Sequence, residues 1–149
     1  MKRLFVTLMA LVALMIAAPA AHATDWFPVW SNDGETIALD PDITTSDGGQ
    51  NYQVWVRNSF DLPESRAYYT RDRGYNQTVA YKLTLYMFSD DWKIFNIVQV
   101  AVYGEDDKLI DQYANPDMAS TASIVPDGTP IQVVAEAAKV IYEIRNNPE

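Results

Sequence analysis

From residue 26 to residue 113 the apolar positions fall into short runs with a period of two, the spacing of half-buried β-strands, and turn-forming residues separate the runs. Trp26-Phe27-Pro28-Val29-Trp30 followed by Asn32-Asp33-Gly34 predicts a strand and a tight turn. Glu35 to Asp40 returns as a second strand with Ile37 and Leu39 in phase, until Pro41 stops it. After the turn signal Ser46-Asp47-Gly48-Gly49, Tyr52 to Phe60 reads as a third strand, with Tyr52, Val54 and Val56 on one face and Gln53, Trp55 and Arg57 on the other. Ala80 to Phe88 and Lys93 to Tyr103 form two longer strands joined through Ser89-Asp90-Asp91. Gly104 to Lys108 turns into a sixth strand, Leu109 to Tyr113, ended by Asn115-Pro116, and Ser120 to Val125 adds a brief extended piece. Residues 61–79 carry Pro, Gly, Arg and Asn without aliphatic periodicity and are expected to form one long exposed connection.

The period changes near the C-terminus. Thr129 is placed to cap a helix, Pro130 suits its first turn, and Gln132 stands where a capping box requires it. Val133, Val134, Ala137, Val140, Ile141 and Ile144 make an apolar stripe at helical spacing, opposite Gln132, Glu136, Lys139, Glu143 and Asn146. At ~1.5 Å per residue, a helix from Pro130 to Asn146 is about 25 Å long, enough to cover a sheet face. The expected fold class is therefore α+β: an antiparallel sheet of about six strands with one C-terminal amphipathic helix packed on one face.

The start of the chain has a different character. Lys2 and Arg3 precede an uncharged apolar run from Leu4 to Ala18, Pro19 interrupts it, and Ala21-His22-Ala23 offers the small residues of a signal-peptidase site. Residues 1–23 are expected to be a cleaved signal peptide and residues 24–149 one exported domain, since the apolar run falls short of the ~20 residues of a membrane-spanning helix. The chain has no cysteine, so neither disulfides nor an N-terminal lipid anchor is available. Cleavage leaves 9 basic against 20 acidic residues and a formal charge of −11, a field that repels nucleic acid.

Export also removes His22, the one histidine. Without His or Cys, thiol nucleophiles, Ser-His-Asp triads and histidine-based metal sites are excluded, and no glycine-rich phosphate loop is present. Asp40, Asp42 and Asp47 lie close in sequence, but their loop lacks an EF-hand pattern, so no metal is expected; with 20 acids in the chain, no carboxylate pair singles itself out for glycoside hydrolysis. Neither cofactor nor catalytic residue is expected, and the chain reads as a non-enzyme. The one concentration of basic residues, Arg66 to Tyr75, interleaves Arg66, Arg71 and Arg73 with Tyr68, Tyr69 and Tyr75. Arg and Tyr are the side chains that interfaces favour, so these six are the candidate protein-binding residues.

The order Trp30-Ser31-Asn32-Asp33-Gly34, Ile37-Ala38-Leu39-Asp40, Val54-Trp55-Val56-Arg57, Ala101-Val102-Tyr103-Gly104 and Ser123-Ile124-Val125-Pro126-Asp127-Gly128 before a C-terminal helix resembles the surface-adhesin protein E family of exported bacterial proteins. The resemblance covers nearly all of residues 24–149. It implies an antiparallel sheet with a helix on one face, admits a homodimer, and implies binding to extracellular-matrix and serum proteins such as laminin and vitronectin rather than catalysis. This chain departs from the adhesin in lacking both the lipidation cysteine and the cysteines that fasten helix to sheet. The expected function is an exported binding domain for an extracellular-matrix or envelope protein, located in the periplasm, on the cell surface or in the medium. The alternative is a periplasmic module for envelope maintenance, or for a small or lipidic ligand sheltered between sheet and helix.

Overall fold

The computed structural model describes residues 25–147, so the expected signal peptide lies outside the described residues. Each alternating run becomes a strand: β1 (Phe27–Asn32), β2 (Glu35–Leu39), β3 (Thr44–Ser46), β4 (Asn51–Phe60), β5 (Val79–Ser89), β6 (Ile94–Gly104), β7 (Leu109–Ala114) and β8 (Ser123–Ile124). Helix α1 (Pro63–Asp72) follows β4, and α2 (Pro130–Asn146) ends the fold. The strands form one antiparallel sheet in the order β1-β2-β4-β5-β6-β7, with β3 paired to β4 and β8 to β6. The architecture is α+β, with α2 packed against the sheet as its apolar stripe predicts.

The register of β4 on β5 explains how one sheet holds two helices. Tyr52 lies opposite Phe88, Val54 opposite Tyr86, Val56 opposite Thr84 and Asn58 opposite Lys82, so these side chains share a face. At one end of that face Leu39, Val54, Val56 and Phe88 pack with Val134, Ala135 and Ala138 of α2. At the other end Phe60, Val79 and Val102 pack with Tyr69 of α1 and with Tyr75. The opposite face carries Trp55, Arg57, Leu83 and Leu85, as alternation requires. There the Arg57 guanidinium lies 4.1 Å from the Tyr81 ring centroid and Tyr81 stacks on Tyr103 at 5.0 Å, a ladder across three strands.

Three expectations are corrected. Residues 61–79 are not one long loop, because α1 occupies half of them. Pro63 stands at the helix start, Glu64 in the first turn and Arg71 in the last. Gly74, at φ +70°, ends the helix in a Schellman arrangement: Gly74 N–H donates to the Arg71 carbonyl and Tyr75 N–H to that of Thr70, at 3.1 and 2.9 Å. The helix carries no apolar stripe and none of its residues is fully buried, which is why periodicity misses it.

The buried side of α2 is also turned from the expected stripe. Val134, Ala135 and Ala138 are buried, Ile131, Ala137, Ile141 and Tyr142 flank them, and Val140 and Ile144 are 51% and 67% exposed. Small alanines let the helix approach the sheet, where the rings of Tyr52, Phe88 and Trp92 already fill the space. The capping box is shifted as well. Thr129 Oγ1 donates to the Pro126 carbonyl at 2.6 Å instead of capping, and Gln132 Oε1 accepts from the Gly128 N–H at 2.6 Å. The loop before α2 is therefore tied to the helix from both sides. Its far end is tied by an ion pair between Arg145 and Asp42.

Candidate functional site

Of the six residues singled out from Arg66 to Tyr75, three attach α1 to the sheet. Arg66 Nε donates to the Phe60 carbonyl at 2.7 Å and its Nη1 meets Glu105 Oε1 at 2.6 Å, which ties the helix to the end of β4 and to the β6–β7 turn. Tyr69 stacks on Phe60 with centroids 4.5 Å apart, and Tyr75 lies 6.5 Å beyond it. The Tyr75 hydroxyl donates to Asp111 of β7 at 3.1 Å. Burial raises the pKa of both phenols; the bond to Asp111 raises that of Tyr75 further, while the Arg73 charge works against the rise at Tyr69.

The other three face outward. Tyr68 is 62% exposed, Arg71 is exposed and forms no ion pair among the described residues, and Arg73 meets Asp72 at 3.8 Å. The Arg73 guanidinium also lies 5.7 Å from the Tyr69 ring centroid. α1 thus presents an aromatic and two cations from a backbone fixed by Arg66, Tyr69 and Tyr75. A cleft of about 530 Å³ runs beside it, lined by Arg66, Thr70, Arg71, Tyr75 and Glu105 among others. At the N-terminal end of α1, Gly34 in the β1–β2 turn has φ +85°, and a Cβ there would lie 2.1 Å from Ser65 Oγ, so the turn and helix meet without room for a side chain.

Sequence reasoning passed over the covered face between the two helices. Asn58, Lys82 and Thr84 lie side by side there on β4 and β5, a polar break beside apolar and aromatic side chains. A sharper signal was available, because Lys82 falls in phase with Thr84, Tyr86 and Phe88 on a central strand, where a lysine is costly to bury.

Elsewhere the acids behave as turn residues. Asp91 accepts from Ser89 Oγ and the Lys93 N–H at 2.7 and 3.0 Å, and Asp106 pairs with Lys108 at 2.9 Å. Asp42 N–H donates to Asp40 Oδ1 at 2.9 Å. Among the described residues no three His, Cys, Asp or Glu side chains are grouped as a metal site requires, and no helix is long and apolar enough to cross a membrane. Comparison with protein-family models, with curated proteins and with solved structures returns no match.

Proposed function

We propose that this chain is an exported, non-enzymatic binding domain that meets an acidic surface on a protein partner through the outer face of α1. The observation that carries the reading is the division of labour within Arg66 to Tyr75. Arg66, Tyr69 and Tyr75 hold the helix, while Tyr68 and Arg71 face solvent and Arg73 remains exposed beside the Tyr69 ring. A fixed backbone lowers the ordering cost of association, and exposed Arg and Tyr supply contact area, stacking and bidentate hydrogen bonds. In an exported domain of formal charge −11, these arginines are where an acidic partner meets less repulsion. The resemblance to the surface-adhesin protein E family makes laminin and vitronectin the first partners to try.

The test is binding of the chain from Thr24 onward to immobilised laminin and vitronectin at physiological salt, beside the Arg71→Ala/Arg73→Ala double variant. Saturable binding that weakens at least about tenfold in the variant, the effect of losing ~1.4 kcal/mol, supports the reading. Binding to neither protein removes the matrix role, and binding that the variant retains moves the contact away from α1.

A further inference from the structure

The seam between α1 and α2 holds two polar side chains, Asn58 and Lys82. Asn58 Oδ1 is buried and accepts no hydrogen bond. Directly across the β4–β5 pair, the Lys82 ammonium forms no ion pair among the described residues; it lies 5.5 Å from the Tyr69 ring centroid, and the charges of Arg73 and Glu35 also act on it. Buried polar atoms are almost always satisfied in a folded domain, and a half-buried lysine on an aromatic layer gains from an anionic partner. Burial and the nearby Arg73 charge both depress the Lys82 pKa, and Glu35 offsets them only in part.

Both groups border a partly open cavity of about 70 Å³ that Thr84 and Tyr86 also line. That is room for several water-sized groups. Ile37 and Val56 from the sheet and Ile131 and Val134 from α2 form its apolar walls. The occupant that suits these walls needs a negative group for Lys82, a hydrogen-bond donor for Asn58 Oδ1 and a short aliphatic body. An amino acid is disfavoured, because its ammonium would have to sit beside Lys82; a hydroxyl donates without bringing a second positive charge.

We propose that this seam binds a small aliphatic 2-hydroxycarboxylate, with its carboxylate on Lys82, its hydroxyl donating to Asn58 Oδ1, and its carbon skeleton against Ile37, Val56, Ile131 and Val134. None of Tyr68, Arg71 and Arg73 lines this site, although the Arg73 charge is felt at Lys82.

The test is calorimetric titration of the chain from Thr24 onward with lactate, and with propanoate as the analogue lacking the hydroxyl. Saturable lactate binding at millimolar concentration, at least tenfold weaker for propanoate and for Lys82→Met and unchanged in Arg71→Ala, is the expected result. Nuclear magnetic resonance of the unaltered chain gives an independent reading should Lys82→Met fail to fold: lactate should shift the Lys82 ε-methylene signal and leave those of Lys93, Lys108 and Lys139 in place. No saturable lactate binding, equal affinity for propanoate, or a Lys82 signal that does not move would each overturn the proposal.

Discussion

Trp92, in the turn between β5 and β6, stacks face to face on Tyr52 of β4, with ring centroids 4.3 Å apart and planes 10° from parallel. Tyr52 in turn meets the edge of Tyr142 of α2 at 4.8 Å, so one aromatic column joins hairpin, sheet and helix. Trp92 takes a φ of +62° to reach this position, a conformation that costs a bulky side chain on the order of 1–2 kcal/mol. Burial of the indole outweighs that cost. Trp92→Ala should therefore destabilise the chain by about 3–5 kcal/mol in denaturant titration, with loss of near-ultraviolet dichroism. A loss below about 1 kcal/mol would mean that the column does not organise this end of the core.

The arginines beside α1 should separate by role. The Arg66–Glu105 pair is 31% and 58% exposed, so the ion pair alone contributes little. The bond to the Phe60 carbonyl is more sheltered, and Arg66→Ala should cost about 2 kcal/mol through that bond and the stem packing. Glu105→Ala should cost under about 1 kcal/mol, and Arg71→Ala and Arg73→Ala should stay within about 0.5 kcal/mol. Equal effects at all three arginines would contradict the division between anchoring and displayed side chains.

Tyr81 offers a pH test. Burial first, then the hydrogen bond its hydroxyl donates to Asp107 at 3.0 Å and the Asp107 charge, raises its pKa to about 12. The folded value exceeds the ordinary value of 10.0, so the native state favours the neutral phenol. This contribution is complete below pH 10 and is lost as pH rises toward 12. Ultraviolet titration should show a late phenol that Tyr81→Phe removes and Asp107→Asn moves to lower pH. A late phenol unchanged by Asp107→Asn would rule out the Asp107 contribution.

The turned face of α2 makes opposite predictions for neighbouring positions. Ala138 is completely buried against the sheet, so Ala138→Leu should overpack the contact and cost about 1–3 kcal/mol. Val140→Lys and Ile144→Lys should change stability by about 0.5 kcal/mol or less, since both side chains are already largely in solvent. Thermal melts of the three variants decide this, and a severe loss at Val140 with tolerance at Ala138 would restore the stripe expected from sequence.

The strands were legible from their alternating sequence, although burial does not alternate: Val54, Trp55 and Val56 of β4 and Leu83 and Thr84 of β5 are buried in succession, because both faces of the sheet are partly covered. Helix α2 was legible for the same kind of reason. Helix α1 was not, because its hold on the sheet comes from Arg66 and Tyr69, whose partners Glu105 and Phe60 lie outside the helix. The candidate surface was half legible: the Arg and Tyr cluster was visible as composition, but its separation into anchors and displayed groups depends on contacts with Phe60, Glu105 and Asp111.

Local chemistry along the chain determined the alternation, the turns and the amphipathic C-terminal segment, because each depends on residues a few positions apart. Tertiary structure alone decided that both helices share one face of the sheet, since that follows from the pairing of β4 with β5 and the side of the sheet to which each helix returns. It also decided that Asn58 and Lys82, 24 positions apart, face one another across that pairing, with Asn58 Oδ1 accepting no hydrogen bond. A side chain's hydrogen-bond accounts are settled by its neighbours in space, and for these two the neighbours come from different strands and both helices.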